Sequence, residues 1–336
     1  MSEGIVTLNH GAGGTIMRKF VRDLFLRHFD NAYLRNLSDA AMLEMPGRRL
    51  AFTTDSYVVQ PLEFPGGDVG KLAVCGTVND LAVMGAKPLF LSAGFILEEG
   101  LSLDLLGRLI GSMAKTAQAA GVEIVTGDTK VVSHGECDGL FINTSGIGIY
   151  PAGHGLSGQG IIPGDVILLS GTIGEHGLAV LSGRNGLNFE TQIESDCAPL
   201  SEMIGEVLLE SSGVKWMRDA TRGGVAAVLT ELCEQKPYGA IVREASIPVR
   251  PDVNAVCELL GFDPLHLANE GKVVIVIERK DADRVVHCLQ RHAMGKNAVQ
   301  IGEITAEAAG HVRIQTASGG VRRLQRPAGE LLPRIC

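Results

Sequence analysis

Four aspartates stand where a folded chain delivers side chains to a common point. They are Asp55 in Thr-Thr-Asp-Ser, Asp80 in Val-Asn-Asp-Leu, Asp128 in Thr-Gly-Asp-Thr-Lys and Asp219 in Arg-Asp-Ala-Thr-Arg-Gly-Gly. Carboxylates brought from strand ends and turns are what a hard cation such as Mg²⁺ requires, with nucleotide phosphate oxygens completing its shell. Taken singly, an Asp more commonly caps a turn or a helix. Asp80 resists that use, because it lies in an apolar helical run with Val78, Leu81, Ala82, Val83 and Met84, where a carboxylate needs a strong reason. Two glycine-rich segments, His10-Gly11-Ala12-Gly13-Gly14 and Thr221-Arg222-Gly223-Gly224, each lead into a helix. Amides exposed at a helix N-terminus suit an anion. Neither segment matches the P-loop or the dinucleotide fingerprint, so the common nucleotide folds are not supported. The pairing of Arg222 with Asp219 gives the second segment more weight.

Lys130 follows Asp128 by two residues, and Glu270 sits in Ala-Asn-Glu-Gly-Lys just before a strand. A lysine beside phosphate offsets charge developing in phosphoryl transfer, and a glutamate in the same pocket is a candidate base. Either one is equally at home in a solvated surface ion pair. Cys336 is the last residue, and the segment before it carries little helix or sheet signal. A thiol at the tip of a mobile tail resembles a carrier arm, able to accept an acyl group in one place and present it in another. Prenylation needs the cysteine four places from the end, so that modification is excluded. Cys75, Cys233, Cys257 and Cys288 lie among apolar neighbours and read as core; Cys137 and Cys197 sit in polar loops and receive no role.

The elements that position these residues read as two α/β units. A helix is expected over 15–29, strands over 48–54, 88–97, 122–126 and 140–150, and helices over 70–85 and 102–120. This first unit reads as α+β with a mixed or antiparallel sheet. The Gly/Pro/Ser-rich stretch 151–164 is the best boundary. Beyond it come strands over 165–170, 240–243, 273–278 and 298–305. They alternate with helices over 175–182, 199–211, 224–234, 251–260 and 281–292. The expected domains are 1–154, 155–310 and a tail of 311–336. With 336 residues, 45% hydrophobic and 20% charged, the chain has ample core material. A net charge of −8 without a Lys/Arg block disfavours nucleic acid. No apolar stretch reaches spanning length, so no membrane is expected, and no secretion signal is read at the N-terminus. Seven cysteines without CxxC spacing fit a reduced cytoplasm.

The run Asn79-Asp80-Leu81-Ala82-Val83-Met84-Gly85-Ala86 with Pro88, the Thr-Gly-Asp-Thr of 126–129 and Asp219 to Gly224 resemble the ATP-binding signatures of the PurM-like superfamily. That superfamily includes aminoimidazole ribonucleotide synthetase, selenophosphate synthetase and thiamine-monophosphate kinase. Within it, the opening His10 to Gly14, the Asn-Glu-Gly-Lys of 269–272 and the ending Pro333-Arg334-Ile335-Cys336 resemble the HypE family of hydrogenase maturation proteins. The resemblance runs essentially end to end and implies a two-domain PurM-like fold that dimerises through its first domain. It also implies a carbamoyl dehydratase. Such an enzyme receives a carbamoyl group on its terminal cysteine from HypF and dehydrates the S-carboxamide to an S-cyanide with ATP and Mg²⁺. The cyanide passes to the HypC–HypD complex as a ligand for [NiFe]-hydrogenase iron. By position, Asp55, Asp80, Asp128 and Asp219 would be the metal and ATP residues, with Gly13, Gly14, Arg222, Gly223 and Gly224 beside the phosphates. Lys130, Glu270 and Cys336 would be catalytic. A small-molecule synthetase or kinase of the same superfamily, with an incidental terminal cysteine, is the alternative; a selenophosphate synthetase usually has a reactive Cys or Sec in its N-terminal glycine-rich segment, and 4–14 contains none.

Overall fold

The structure, a computed structural model, describes residues 14–20, 22, 41–45, 48–151, 156–184, 192–326, 329 and 331–336. Helix α1 (Thr15–Phe20) precedes β1 (Ala41–Met45), β2 (Arg48–Tyr57) and the short hairpin of β3 (Glu63–Phe64) and β4 (Gly67–Asp68). Then follow α2 (Val69–Val83), β5 (Lys87–Glu98), α3 (Leu103–Ala120), β6 (Glu123–Val132) and β7 (Leu140–Ile149). The five long strands form one sheet in the order β1-β2-β7-β5-β6, with only β5 and β6 parallel. A parallel pair needs a crossover, and α3 supplies it. Ser102 caps its start through the Leu105 N–H, and Gly121 ends it at φ 68°.

Helix α2 is apolar on all sides because it is covered on all sides. It lies between the inner face of this sheet and the second domain, with Leu72, Val74, Val78 and Leu81 fully buried. Each such side chain contributes roughly 1.5–3 kcal/mol. A buried hydroxyl chain fixes its height over β2 and β7: Thr144 donates to the Ala73 carbonyl at 3.0 Å, Thr77 meets Thr144 at 2.5 Å, and Tyr57 meets Thr77 at 3.4 Å. Gly76 is obligatory in that contact, since a Cβ there would stand 2.2 Å from the Tyr57 hydroxyl oxygen.

The second domain runs β8 (Val166–Leu169), α4 (Glu175–Ser182), α5 (Ser201–Glu210), β9 (Val214–Asp219), α6 (Gly224–Cys233) and β10 (Gly239–Arg243). It continues with α7 (Pro251–Leu260), β11 (Val273–Ile277), α8 (Ala282–Gln290), β12 (Val299–Thr305), β13 (Val312–Gln315) and β14 (Val321–Arg323). Its seven strands lie in the order β14-β13-β10-β12-β8-β11-β9. The buried run Val273–Ile277 sits between β8 and β9, as a continuous apolar strand should.

Two expectations need correction. Residues 312–323, read as short polar strands and grouped with the tail, supply β13 and β14 of the second sheet, where β13 lies between β10 and β14. The strand expected to end at 126 runs on to Val132. Asp128 and Lys130 therefore lie inside β6, not in a turn after it. Gly127 and Asp128 broke the apolar signal, although Gly127 is demanded by the pairing: a Cβ there would approach the Ala93 carbonyl oxygen to 2.3 Å.

Candidate functional site

Side-chain alternation divides the proposed residues between two faces of the first sheet. Asp55 pairs with the buried Thr144 and so belongs to the inner face with Tyr57 and Thr53. Asp80, on α2 above that face, accepts a hydrogen bond from Thr53 at 2.9 Å. Asp128 pairs with Gly94 and Lys130 with the exposed Ile96, which puts both on the outer face. β6 is also three strands from β2, about 14 Å at ordinary strand spacing. Within one chain, then, the structure brings Asp55 and Asp80 toward α2 and leaves Asp128 and Lys130 exposed elsewhere.

The second domain delivers the rest of the inner site. Asp219 ends β9, and Thr221 to Gly224 turn directly into α6. Gly223 and Gly224 have φ 77° and 62°. A Cβ on Gly224 would lie 2.5 Å from the carbonyl oxygens of both Leu265 and Leu267, so only glycine fits. No side chain caps α6; the Gly224 N–H donates to the Thr221 carbonyl at 2.9 Å, and the next amides of the first turn face an external acceptor. Arg222 reaches across the domain junction to within 3.9 Å of the Asp55 carboxylate. Burial, with Asp55 as a like charge nearby, pushes the Asp219 carboxyl up to about 6, against the pull of Arg218 and Arg222.

Glu270 is buried, 3% exposed, in the turn before β11. Burial raises its carboxyl well above the usual range, and the neighbouring acids Asp219, Asp196 and Asp55 push the same way. Its backbone is pinned. Asp196 accepts from the N–H groups of Glu270 and Gly271 at 3.1 and 3.2 Å and pairs with the buried Lys272 at 3.1 Å. Asn79, the neighbour of Asp80, donates to the carbonyls of Glu270 and Ala198 and accepts from the Leu200 N–H at 2.7 Å. One asparagine thus ties α2 to the turn that bears Glu270.

The chain end is seated in this site. The segment after β2 receives it edge to edge, with Val58 N–H donating to a carboxylate oxygen of Cys336 at 3.2 Å and Gln60 N–H to the Arg334 carbonyl at 3.1 Å. Arg184 donates to the Pro333 and Arg334 carbonyls, and Arg334 to the Val58 carbonyl and Asp138. Leu332 and Ile335 are buried in an apolar cluster to which both domains contribute. Negative charge on Cys336 is the largest influence holding the Arg222 guanidinium charged, ahead of Asp55 and Glu270. Asp55, Tyr57, Arg222, Glu270 and Cys336 therefore form one electrostatic cluster. The sequence reading had the chain end as a mobile tail, because its docking depends on partners more than a hundred residues away. It also missed Asn79, Ser195, Asp196 and His176. Only Asn79 stood in a recognised motif.

Gly14 is buried beside α1, and Gly13 lies outside the described residues. Among the described residues, no group of three His, Cys, Asp or Glu side chains is arranged to hold a metal. Asp55 and Asp219 are near enough for one charge to raise the other's pKa, and a cation between such carboxylates would be completed by phosphate oxygens.

These two domains are those of the AIR synthase-related proteins: the N-terminal domain model matches residues 37–150 and the C-terminal model 163–315. Within that class the chain belongs to the HypE family. It is 49% identical to the carbamoyl dehydratase HypE of Cupriavidus necator over all of this chain and 96% of that protein. It superposes on HypE in a crystal structure of a HypE–HypF complex with TM-score 0.87 and 48% identity, covering 92% of this chain and 99% of that one. A crystal structure of HypE in complex with ATP matches at TM-score 0.82 and 47% identity, over 99% of this chain and 100% of that one.

Proposed function

We propose that this chain dehydrates an S-carboxamide carried on Cys336 to an S-cyanide at the expense of ATP, to supply cyanide for hydrogenase iron. The observation that carries this reading is the seating of the terminal cysteine on the segment after β2, where its charge acts on Arg222, the residue that reaches Asp55. HypE relatives are named carbamoyl dehydratases, and one is described bound to ATP.

The chemistry follows from the groups present. The carboxamide oxygen attacks the γ-phosphorus of ATP, the bond to the bridging oxygen breaks, ADP leaves, and the nitrogen gives up one proton. Phosphate then departs with the carbon–oxygen bonding pair as the second nitrogen proton is taken, which closes the C≡N bond on sulfur. Glu270 suits the role of proton acceptor: burial raises its carboxyl above the usual range and so makes it a stronger base than an exposed glutamate. The open first turn of α6, with Gly223 and Gly224, receives phosphate oxygens. Asp55 and Asp219, with Asp80 close to Asp55's strand, would hold Mg²⁺, and the raised Asp219 fits a site that gains from a divalent cation. When bound, Mg²⁺ shields the phosphate charge.

Asp128 and Lys130 enter through a second copy. The outer sheet face that carries them also exposes Phe52, Phe90, Ile96 and Ile147, an apolar surface suited to burial in a homodimer. Lys130 then offsets phosphoryl charge in the partner's site. HypF is the proposed carbamoyl donor, and HypC–HypD the acceptor of cyanide.

Incubating the chain with HypF, carbamoyl phosphate and ATP and weighing it intact tests the reading. A carbamoyl gain on Cys336, followed by loss of one water only with Mg-ATP, is expected. An adduct that persists in a chain lacking Cys336, or none at all, overturns it. The alternative, a kinase or synthetase acting on a free small molecule, requires full turnover without the tail.

A further inference from the structure

Peptide carbonyls only accept hydrogen bonds, and this fixes the proton on one buried histidine. His176, fully buried on α4, has Nε2 2.6 Å from the Ile335 carbonyl oxygen, so Nε2 carries the proton. Its Nδ1 lies 2.8 Å from Ser195 Oγ, and that oxygen already accepts the Cys197 N–H at 3.0 Å. With Nε2 carrying the proton, a ring kept neutral by full burial has Nδ1 as an acceptor, and the Ser195 hydroxyl donates to it. Burial, which lowers the imidazole pKa, agrees with that state. Phe64 holds the ring edge-on, with centroids 5.5 Å apart at 87°.

We propose that His176 is the positioning residue for the carrier thiol: the relay Cys197 N–H, Ser195 O–H, His176 N–H grips the last peptide carbonyl before Cys336. The contacts of Arg184, Val58 and Gln60 locate the tail's course, and His176 acts directly on the carbonyl of the peptide that joins Ile335 to Cys336. The other end of the relay belongs to the base. Ser195, Asp196 and Cys197 are consecutive, and Asp196 holds the Glu270 and Gly271 amides. Three residues thus frame both the thiol and the proton acceptor, which sets their mutual placement when the tail is seated. The tail must leave this seat to be loaded, so the grip acts on dehydration and not on loading.

The inference rests on the reading that Cys336 carries the reacting group, and its test separates the two. In the full chain, alkylation of Cys336 by iodoacetamide, resolved by peptide mass, measures seating without any dehydratase chemistry. His176→Leu should raise that rate roughly tenfold, the usual worth of one buried hydrogen bond. His176→Gln, whose amide can donate to Ile335 and accept from Ser195, should stay within about threefold of wild type on the same scale. In single turnover of preloaded protein, His176→Leu should slow dehydration by roughly the same tenfold, with ATP affinity and carbamoyl loading unchanged, and Gln should restore it. Ser195→Ala, which keeps the ring and removes both the proton donated to it and the acceptor of the Cys197 N–H, should move both readouts the same way by a smaller factor; it decides the matter if the leucine variant does not fold. Wild-type alkylation and dehydration rates in both His176→Leu and Ser195→Ala overturn the proposal, as does failure of glutamine to rescue a folded protein. Absence of any carbamoyl adduct on wild type would instead sink the dehydratase reading and leave the alkylation result to judge the grip.

Discussion

At the scale of single residues, the site depends on carboxyls kept where water cannot solvate them. Glu270 is the clearest case, and its raised pKa has a definite cost to the fold. The unfolded chain releases the Glu270 proton near 4.5, whereas the folded chain keeps it to a higher pH. Between those two values the unfolded state binds fewer protons, so this group's contribution to stability falls as pH rises through the window. Glu270→Gln should therefore melt above wild type when measured by calorimetry above about pH 5, and the difference should close as pH falls toward about 4. The same variant should dehydrate roughly 10²–10⁴-fold more slowly in single turnover, the usual worth of a positioned base. A variant of wild-type stability and rate would remove Glu270 from the mechanism. Glu270 was visible in the sequence as a glutamate in a glycine turn; its burial was not.

At the scale of elements, two tight approaches decide whether the site forms. The turn into α6 needs glycine at 224, where φ is 62° and two carbonyl oxygens crowd the missing Cβ. Gly224→Ala should lower stability by about 1–3 kcal/mol in urea unfolding and weaken ATP binding, since strain there displaces the open first turn. Gly271 faces a harder wall. A Cβ there would stand 1.9 Å from the Asp196 carbonyl oxygen, so Gly271→Ala should detach the Glu270 turn from Asp196. A crystal or NMR comparison of that variant should find Glu270 displaced; an unmoved turn would contradict this account. Helices α2, α3 and α6 and most strands were readable from periodicity and punctuation. β6 was cut short at Thr126 because its second half is polar and glycine-interrupted, and neither feature hinders an edge strand whose pairing partner is β5.

At the scale of the whole molecule, the first sheet has an inner face bearing Asp55 and an outer face bearing Asp128, Lys130 and an apolar patch. Phe90→Glu with Ile147→Glu should make the chain monomeric in sedimentation and abolish dehydration while the fold persists. If each site borrows Lys130 from its partner, mixing Lys130→Ala with Glu270→Ala chains, allowed to exchange subunits, should restore about a quarter of wild-type activity, because half the dimers then hold one intact site of two. No restoration after demonstrated exchange would place Lys130 and Glu270 in the same chain's chemistry.

The residue types, their glycine punctuation and the end-to-end resemblance were enough to establish a two-domain chain, its family and the inventory of acids and cations. Those properties are local, carried by short stretches of sequence. Which acids share a site was decided only by the tertiary structure, because strand parity and pairing order send Asp55 and Asp128 to opposite faces of one sheet. The place of Cys336 was decided the same way. Its seat is built from Val58, Arg184, Ser195 and His176, residues that no local pattern connects to the chain end and that meet it only once both domains have closed around α2.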